Sequence, residues 1–130
     1  SIRGIYKMKY DYEFNEKKLR SGKKFLIIEI DPKIELVSDF LFSDIQGRDV
    51  QYVLDVLDDV MSGKSDYEEI CGNMCEVDVR KDYCEIYDML ADDGKGNWCR
   101  IETEELREFV VLWGEEYRKF RQREREAKQE

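Results

Sequence analysis

The stretch Cys71-Gly-Asn-Met-Cys75-Glu-Val-Asp-Val-Arg-Lys-Asp-Tyr-Cys84-Glu-Ile-Tyr87 sets three of the chain's four cysteines among carboxylates. Its reading depends on the two-residue period of a β-strand, which sends alternate side chains to opposite faces. Over 74–79, Cys75, Val77 and Val79 point one way, and Glu76 and Asp78 the other. Over 83–88, Cys84 and Ile86 share a side against Tyr83, Glu85 and Tyr87. A third strand near 97–101 puts Cys99 and Ile101 opposite Trp98 and Arg100. Three cysteines are thus in phase with the aliphatic residues of their own strands, where free cysteine acts as a small buried hydrophobe. Cys71 is undecided, because Tyr67, Glu69 and Cys71 share a parity against Glu68 and Ile70. The gaps between cysteines are three, eight and fourteen residues, one pair at best, with no histidine. Structural zinc uses paired knuckles, so the expectation is cysteines as core and no metal. Disulfides are disfavoured in a chain without a secretory segment.

Two more strands precede this block. Tyr6, Met8, Tyr10, Tyr12 and Phe14 alternate with Lys7, Lys9, Asp11 and Glu13, the pattern of a half-buried strand running from Ile2 to Phe14. Asn15 to Gly22 reads as a hairpin loop, and Phe25–Ile30 as a second, more apolar strand stopped by Asp31-Pro32. Residues 34–42 fit a short helix better than a strand. From Asp49, the residues Val50, Val53, Leu54, Leu57, Val60 and Met61 fall at helical spacing, and Ser62-Gly63 ends that helix. Thr103 is placed to cap a last helix, with Glu104 and Glu105 suited to its positive end. Its apolar stripe is Leu106, Phe109, Val110, Trp113, Tyr117 and Phe120. The fold class is therefore α+β: an antiparallel sheet, made of an N-terminal hairpin plus a block of short strands, packed against a central and a C-terminal amphipathic helix. One domain over 1–120 and a charged, frayed or disordered tail over 121–130 complete the expectation.

With 130 residues the chain holds a single core. Its charge is uneven: +4 over 1–30, −14 over 31–108 and +1 over 109–130, for a net of −9. A field of that sign repels nucleic-acid phosphates and speeds encounter with a basic partner, so no direct nucleic-acid binding is expected. No run approaches a membrane span and the first residues lack an apolar signal core, which points to a cytoplasmic protein.

Enzyme chemistry finds little material. Without histidine there is no ordinary general base near neutral pH and no Ser-His or Cys-His nucleophile pair. The glycines at 94 and 96 lack the helix and Lys-Ser/Thr of a phosphate loop. Asp92-Asp93-Gly94 has the outline of a calcium loop, but Met89 and Ala91 stand where oxygen ligands belong. No enzyme and no cofactor are expected. A carboxylate-based enzyme or small-molecule binder stays open only through the abundance of carboxylates. The parity opposite the cysteines instead displays Glu76, Asp78, Tyr83, Glu85, Tyr87, Trp98 and Arg100. Carboxylates interleaved with the residue types of interface hot spots suit a cationic protein partner. A helix lying over this face would make the same aromatics packing, and the Asp92-Asp93 loop is a further candidate contact.

The run from Val50 through Met61-Ser-Gly63, then Gly72-Asn73, then Cys99-Arg-Ile-Glu-Thr-Glu-Glu-Leu-Arg-Glu-Phe-Val-Val-Leu-Trp113, resembles small bacterial immunity proteins. These are encoded beside polymorphic toxins, including those of contact-dependent growth inhibition. The resemblance, over roughly residues 50–115, implies a cytoplasmic, non-catalytic protein that binds and blocks a toxin domain, often a nuclease with a basic cleft. The alternative is a non-inhibitory adaptor or regulatory module using the same face.

Overall fold

The computed structural model describes residues 6–91 and 97–129. Strands β1 (Tyr12–Lys18) and β2 (Lys24–Ile30) form an antiparallel hairpin in which Tyr12 faces Ile30 and Lys18 faces Lys24. Gly22 takes a left-handed φ of 89° in its turn, open to glycine without steric penalty. The hairpin is offset from expectation. Asn15–Lys18, read as loop, is paired strand, and the expected strand begins only at Tyr12. The preceding residues are taken up differently: Tyr6 and the Lys9 amide both donate to Glu105, while Lys9 Nζ and Tyr10 Oη reach Glu102 at 2.5 and 2.6 Å. A polar strap over the start of the last helix replaces a strand.

Asp31 caps the turn Pro32–Ile34, accepting from the Lys33 amide at 3.0 Å. Helix α1 (Glu35–Asp39) follows, then widens into a turn over Phe40–Ile45 whose last amide, Gln46 N, reaches back five residues to Leu41 O. This segment, the expected short helix, buries Ile34, Leu36, Val37, Phe40, Leu41 and Ile45. Helix α2 (Gln51–Met61) buries Val53, Leu54, Leu57 and Val60. Strands β3 (Glu68–Cys71), β4 (Cys75–Val79), β5 (Tyr83–Asp88) and β6 (Asn97–Glu102) form a four-stranded antiparallel meander in chain order. Helix α3 (Thr103–Lys128) closes the chain.

The hairpin and the meander are two separate sheets, where the sequence suggested one. Between them lies the helical layer: α1 packs on β2 from one side and on β5 and β6 from the other, and α3 likewise touches β2, β5 and β6. The core is thus sheet, helices, hairpin, with Trp113, Phe40 and Phe109 its largest sealed side chains. Gly114 lets α3 approach α2 closely, since a Cβ there would sit 3.0 Å from Val50 Cγ2. Arg107 holds the same two helices with a fork to Asp58 at 2.6 and 3.1 Å.

Two details of α3 depart from expectation. Thr103 does not cap: Glu102 is the N-cap, with no side-chain bond, and Thr103 is the first helical residue. Its hydroxyl is fully buried and donates instead to Arg80 O at 2.6 Å, tying α3 to the β4–β5 turn. The helix also continues to Lys128, through the segment expected as a frayed tail. Pairs three and four apart, Arg121–Glu124 and Gln122–Glu126, support it there, and Arg123 reaches Glu16 of the hairpin at 3.5 Å.

Asp44 sits at the centre of the assembly, 2% exposed. Its two carboxylate oxygens accept the amides of Met74 and Cys75, each at 2.8 Å, just as β4 begins. Gly72 is required beside it, because a Cβ would fall 2.3 Å from Asp44 Cγ. Asp44→Ala strands those two donors and is expected to lower stability by about 2–4 kcal/mol, with Asp44→Asn in between. Urea unfolding measures this; an unchanged midpoint in Asp44→Ala would show that the amides find other partners.

The strap gives a pH dependence. Burial pushes the Glu102 carboxyl up, but the bonds from Lys9 and Tyr10 more than offset this and hold it below its ordinary value. A carboxyl depressed on folding stabilises above its unfolded pKa, and that contribution disappears as pH falls through the folded value. Residues 6–10 should therefore be held at neutral pH and released in acid below the ordinary carboxylate range, with the β1–β2 hairpin intact. Amide NMR signals followed from neutral to acid pH would check the order; simultaneous loss of both would reject it.

Candidate partner-binding face

The meander's period divides it cleanly. Ile70, Cys75, Val77, Val79, Cys84, Ile86, Cys99 and Ile101 are buried beneath the helices. Burial raises the Cys75 thiol to about 12 and those of Cys84 and Cys99 to about 11, so all three stay protonated and inert near neutral pH. The opposite face carries Glu76, Asp78, Tyr83, Glu85 and Tyr87, all half-buried, with Arg100 exposed and Trp98 50% exposed. Among the described residues the buried side of the meander meets the helices, and at the β6 edge Trp98 borders a cavity shared with Pro32, Glu35 and Asp39.

Strand pairing turns these residues into rows. Glu69, Asp78, Glu85 and Arg100 are successive cross-strand neighbours, and so are Cys71, Glu76, Tyr87 and Trp98. Tyr83 lies opposite Glu102 at the far end of the β5–β6 pair. The Tyr87 and Trp98 rings stack, with centroids 6.2 Å apart and planes 26° from parallel. Arg100 is committed within this half of the face: it lies 4.4 Å from the Tyr83 ring and 3.1 Å from Glu85 Oε2. The β3–β4 half has no such balance, since Glu69, Glu76 and Asp78 make no ion pair among the described residues. One oxygen of Asp78 is sealed from solvent without a hydrogen-bond partner. The Glu76 carboxyl is pushed above its ordinary range, first because its protonated form donates to Asp78, then by burial and by repulsion from Asp78 and Glu69. This is the signature of a negative patch in which one proton relieves crowding.

The face extends beyond the residues singled out from sequence. Tyr67 donates to Glu69 at 2.7 Å and stacks under Arg80 at 4.7 Å. Cys71, exposed, donates weakly to Glu76 at 3.8 Å. The signal was the shared parity of Tyr67, Glu69 and Cys71, with Ile70 alone turned inward. Glu69, Cys71 and Glu76 bring three ligand atoms within 4.8 Å of one another. Partial desolvation and then the two carboxylates raise the Cys71 thiol, however, which opposes the thiolate a soft metal needs. Asp92 and Asp93 lie outside the described residues.

Neighbours in sequence should respond oppositely to truncation. Ile86→Ala empties core space and is expected to cost about 2–5 kcal/mol. Tyr87→Ala and Trp98→Ala each lose an exposed stack worth about 0.5–1.5 kcal/mol. Thermal and urea unfolding of the three variants test this; a Trp98→Ala loss as large as that of Ile86→Ala would make the face part of the core.

No protein-family model and no solved structure matches this chain. It is 34% identical over 114 residues to a protein of Bacillus cereus named "Immunity protein", across 88% of this chain and 93% of that one. Identity of this extent, over nearly the full length of both, joins them by descent. The chain belongs to the immunity-protein family.

Proposed function

We propose that this protein is a non-catalytic inhibitor that binds and neutralises a cognate toxin, and that it does so through the outer face of β3–β6. The toxin domain it fits has a basic surface and is a nuclease of the polymorphic or contact-dependent growth-inhibition class, blocked in the cytoplasm. The observation that carries the reading is this face itself, where Glu69, Glu76 and Asp78, without an ion pair among the described residues, adjoin the stacked Tyr87–Trp98 pair. Family membership and the layout of the sequence support an immunity role. The −14 charge of residues 31–108 complements a cleft built for phosphate. Among the described residues no helix is long and apolar enough to cross a membrane.

The two parts of the face do different work in such a complex. Carboxylates steer a basic partner and raise the association rate, whereas buried aromatic anchors slow dissociation. A cation from the partner also favours ionised Glu76. Because that carboxyl is raised in the free protein, affinity should fall as pH drops toward and through the raised value, starting above the ordinary range.

Co-expression of the protein with the toxin gene from its own locus should rescue growth, and the purified pair should associate more slowly as salt rises. Trp98→Ala is expected to weaken the complex by about 2 kcal/mol or more, chiefly in dissociation, and Glu76→Gln to flatten the acid dependence. Absence of rescue would reject the inhibitor role; rescue and affinity untouched by Trp98→Ala and Glu76→Gln together would move the interface elsewhere.

A further inference from the structure

The charge of this acidic protein reverses along one side of α3. Val111, Gly114, Arg118, Arg121 and Arg125 follow one another at intervals of three and four residues and all line one groove of about 500 Å³. Such spacing keeps side chains on a single helix face, here over 14 residues or about 21 Å. The opposite wall is the segment leading into α2, where Val50 and Leu54 give an apolar floor and Arg48 adds positive charge, its guanidinium held by Asp44 O, Ile45 O and Tyr52. Arg118 and Arg125 have no ion-pair partner among the described residues, and both are exposed. Asp49 and Glu115 are the groove's two carboxylates against its four arginines, of which Arg121 also pairs with Glu124 at 3.4 Å.

From this we infer that the α3 groove is a second docking site, which takes an acidic, amphipathic α-helical segment of a partner protein. The linear array selects an elongated ligand over a single anion. Its three–four spacing matches carboxylates repeating at the same interval along another helix, and guanidinium groups pair with carboxylates in bidentate fashion. The apolar inner end beside Val111, Val50 and Leu54 receives that helix's aliphatic residues. A polyphosphate strand fits less well, because the molecule's net charge of −9 opposes it. The site is separate from the β3–β6 face, so it stands or falls independently of the toxin-binding reading.

The test uses a capped synthetic helix of about 15 residues, with glutamates and leucines repeating at three and four, titrated into the isotopically labelled protein at low salt. The expected result is saturable binding, with shifts at Val111, Gly114 and Arg118 and none on β3–β6. The double variant R118E/R125E should weaken it by about tenfold or more with an unchanged thermal midpoint. Toxin neutralisation by that variant should remain normal, which separates this outcome from failure of the immunity role. Any of three results would overturn the proposal: no saturation, binding indifferent to the double variant, or displacement of the peptide by a single-stranded oligonucleotide or anionic vesicles at lower concentration than unlabelled peptide.

Discussion

Asp44 is the group on which the geometry of the candidate binding face depends. Its carboxylate leaves the wide turn after α1, reaches across the core and accepts the Met74 and Cys75 amides at the first residues of β4. A strand slipped by one residue exchanges its two faces entirely. Here that exchange would bury Glu76 and Asp78 and expose Val77 and Val79. By gripping backbone rather than side chain, Asp44 fixes where β4 starts, and the antiparallel pairing of β3 and β5 then passes the register along the meander. Gly72 belongs to the same device, because its missing Cβ is the space the carboxylate occupies.

Much of this was legible in the sequence wherever one period ran uninterrupted. Strands β4, β5 and β6 of the meander, the α2 register and the buried stripe of α3 all follow from alternation or helical spacing. The placement of Glu76, Asp78, Tyr83, Glu85, Tyr87, Trp98 and Arg100 on one side follows from the same rule. What escaped was long-range and polar. Tyr6 and Tyr10 carry the alternation of a strand, yet their hydroxyls are used by Glu105 and Glu102 almost a hundred residues away. Thr103 has the identity of a cap and the surroundings of a core residue. Nothing local marks Asp44 as buried, nor divides one sheet into two. The α3 extension depends on charged pairs along the helix, which an apolar-stripe reading discounts.

The β3–β4 half of the face is in electrostatic tension with itself. Three carboxylates without an ion pair among the described residues, one of them raised above its ordinary value, make the free protein less stable than a neutral surface would. Such tension persists only where the surrounding structure over-determines it. The buried side of the same strands supplies that determination: Val77, Val79, Ile86 and Ile101 are sealed against the helical layer. Each strand thus carries stability on one face and the proposed contact residues on the other.

Under the proposed function, the same separation lets a preformed fold associate tightly with a toxin. A partner cation entering among Glu69, Glu76 and Asp78 gains the attraction of all three and removes their mutual repulsion, a gain unavailable to the free state. Little of it is lost to reordering, since the carboxylates stand on strands rather than on a mobile loop. The Tyr87–Trp98 stack beside them is likewise already formed, so its burial needs no new rotamer. Charge without the aromatics would give fast but short encounters; aromatics without charge would give a sticky surface lacking selectivity. That both kinds of residue stand on one face of β4–β6 follows from the two-residue period that buries the cysteines.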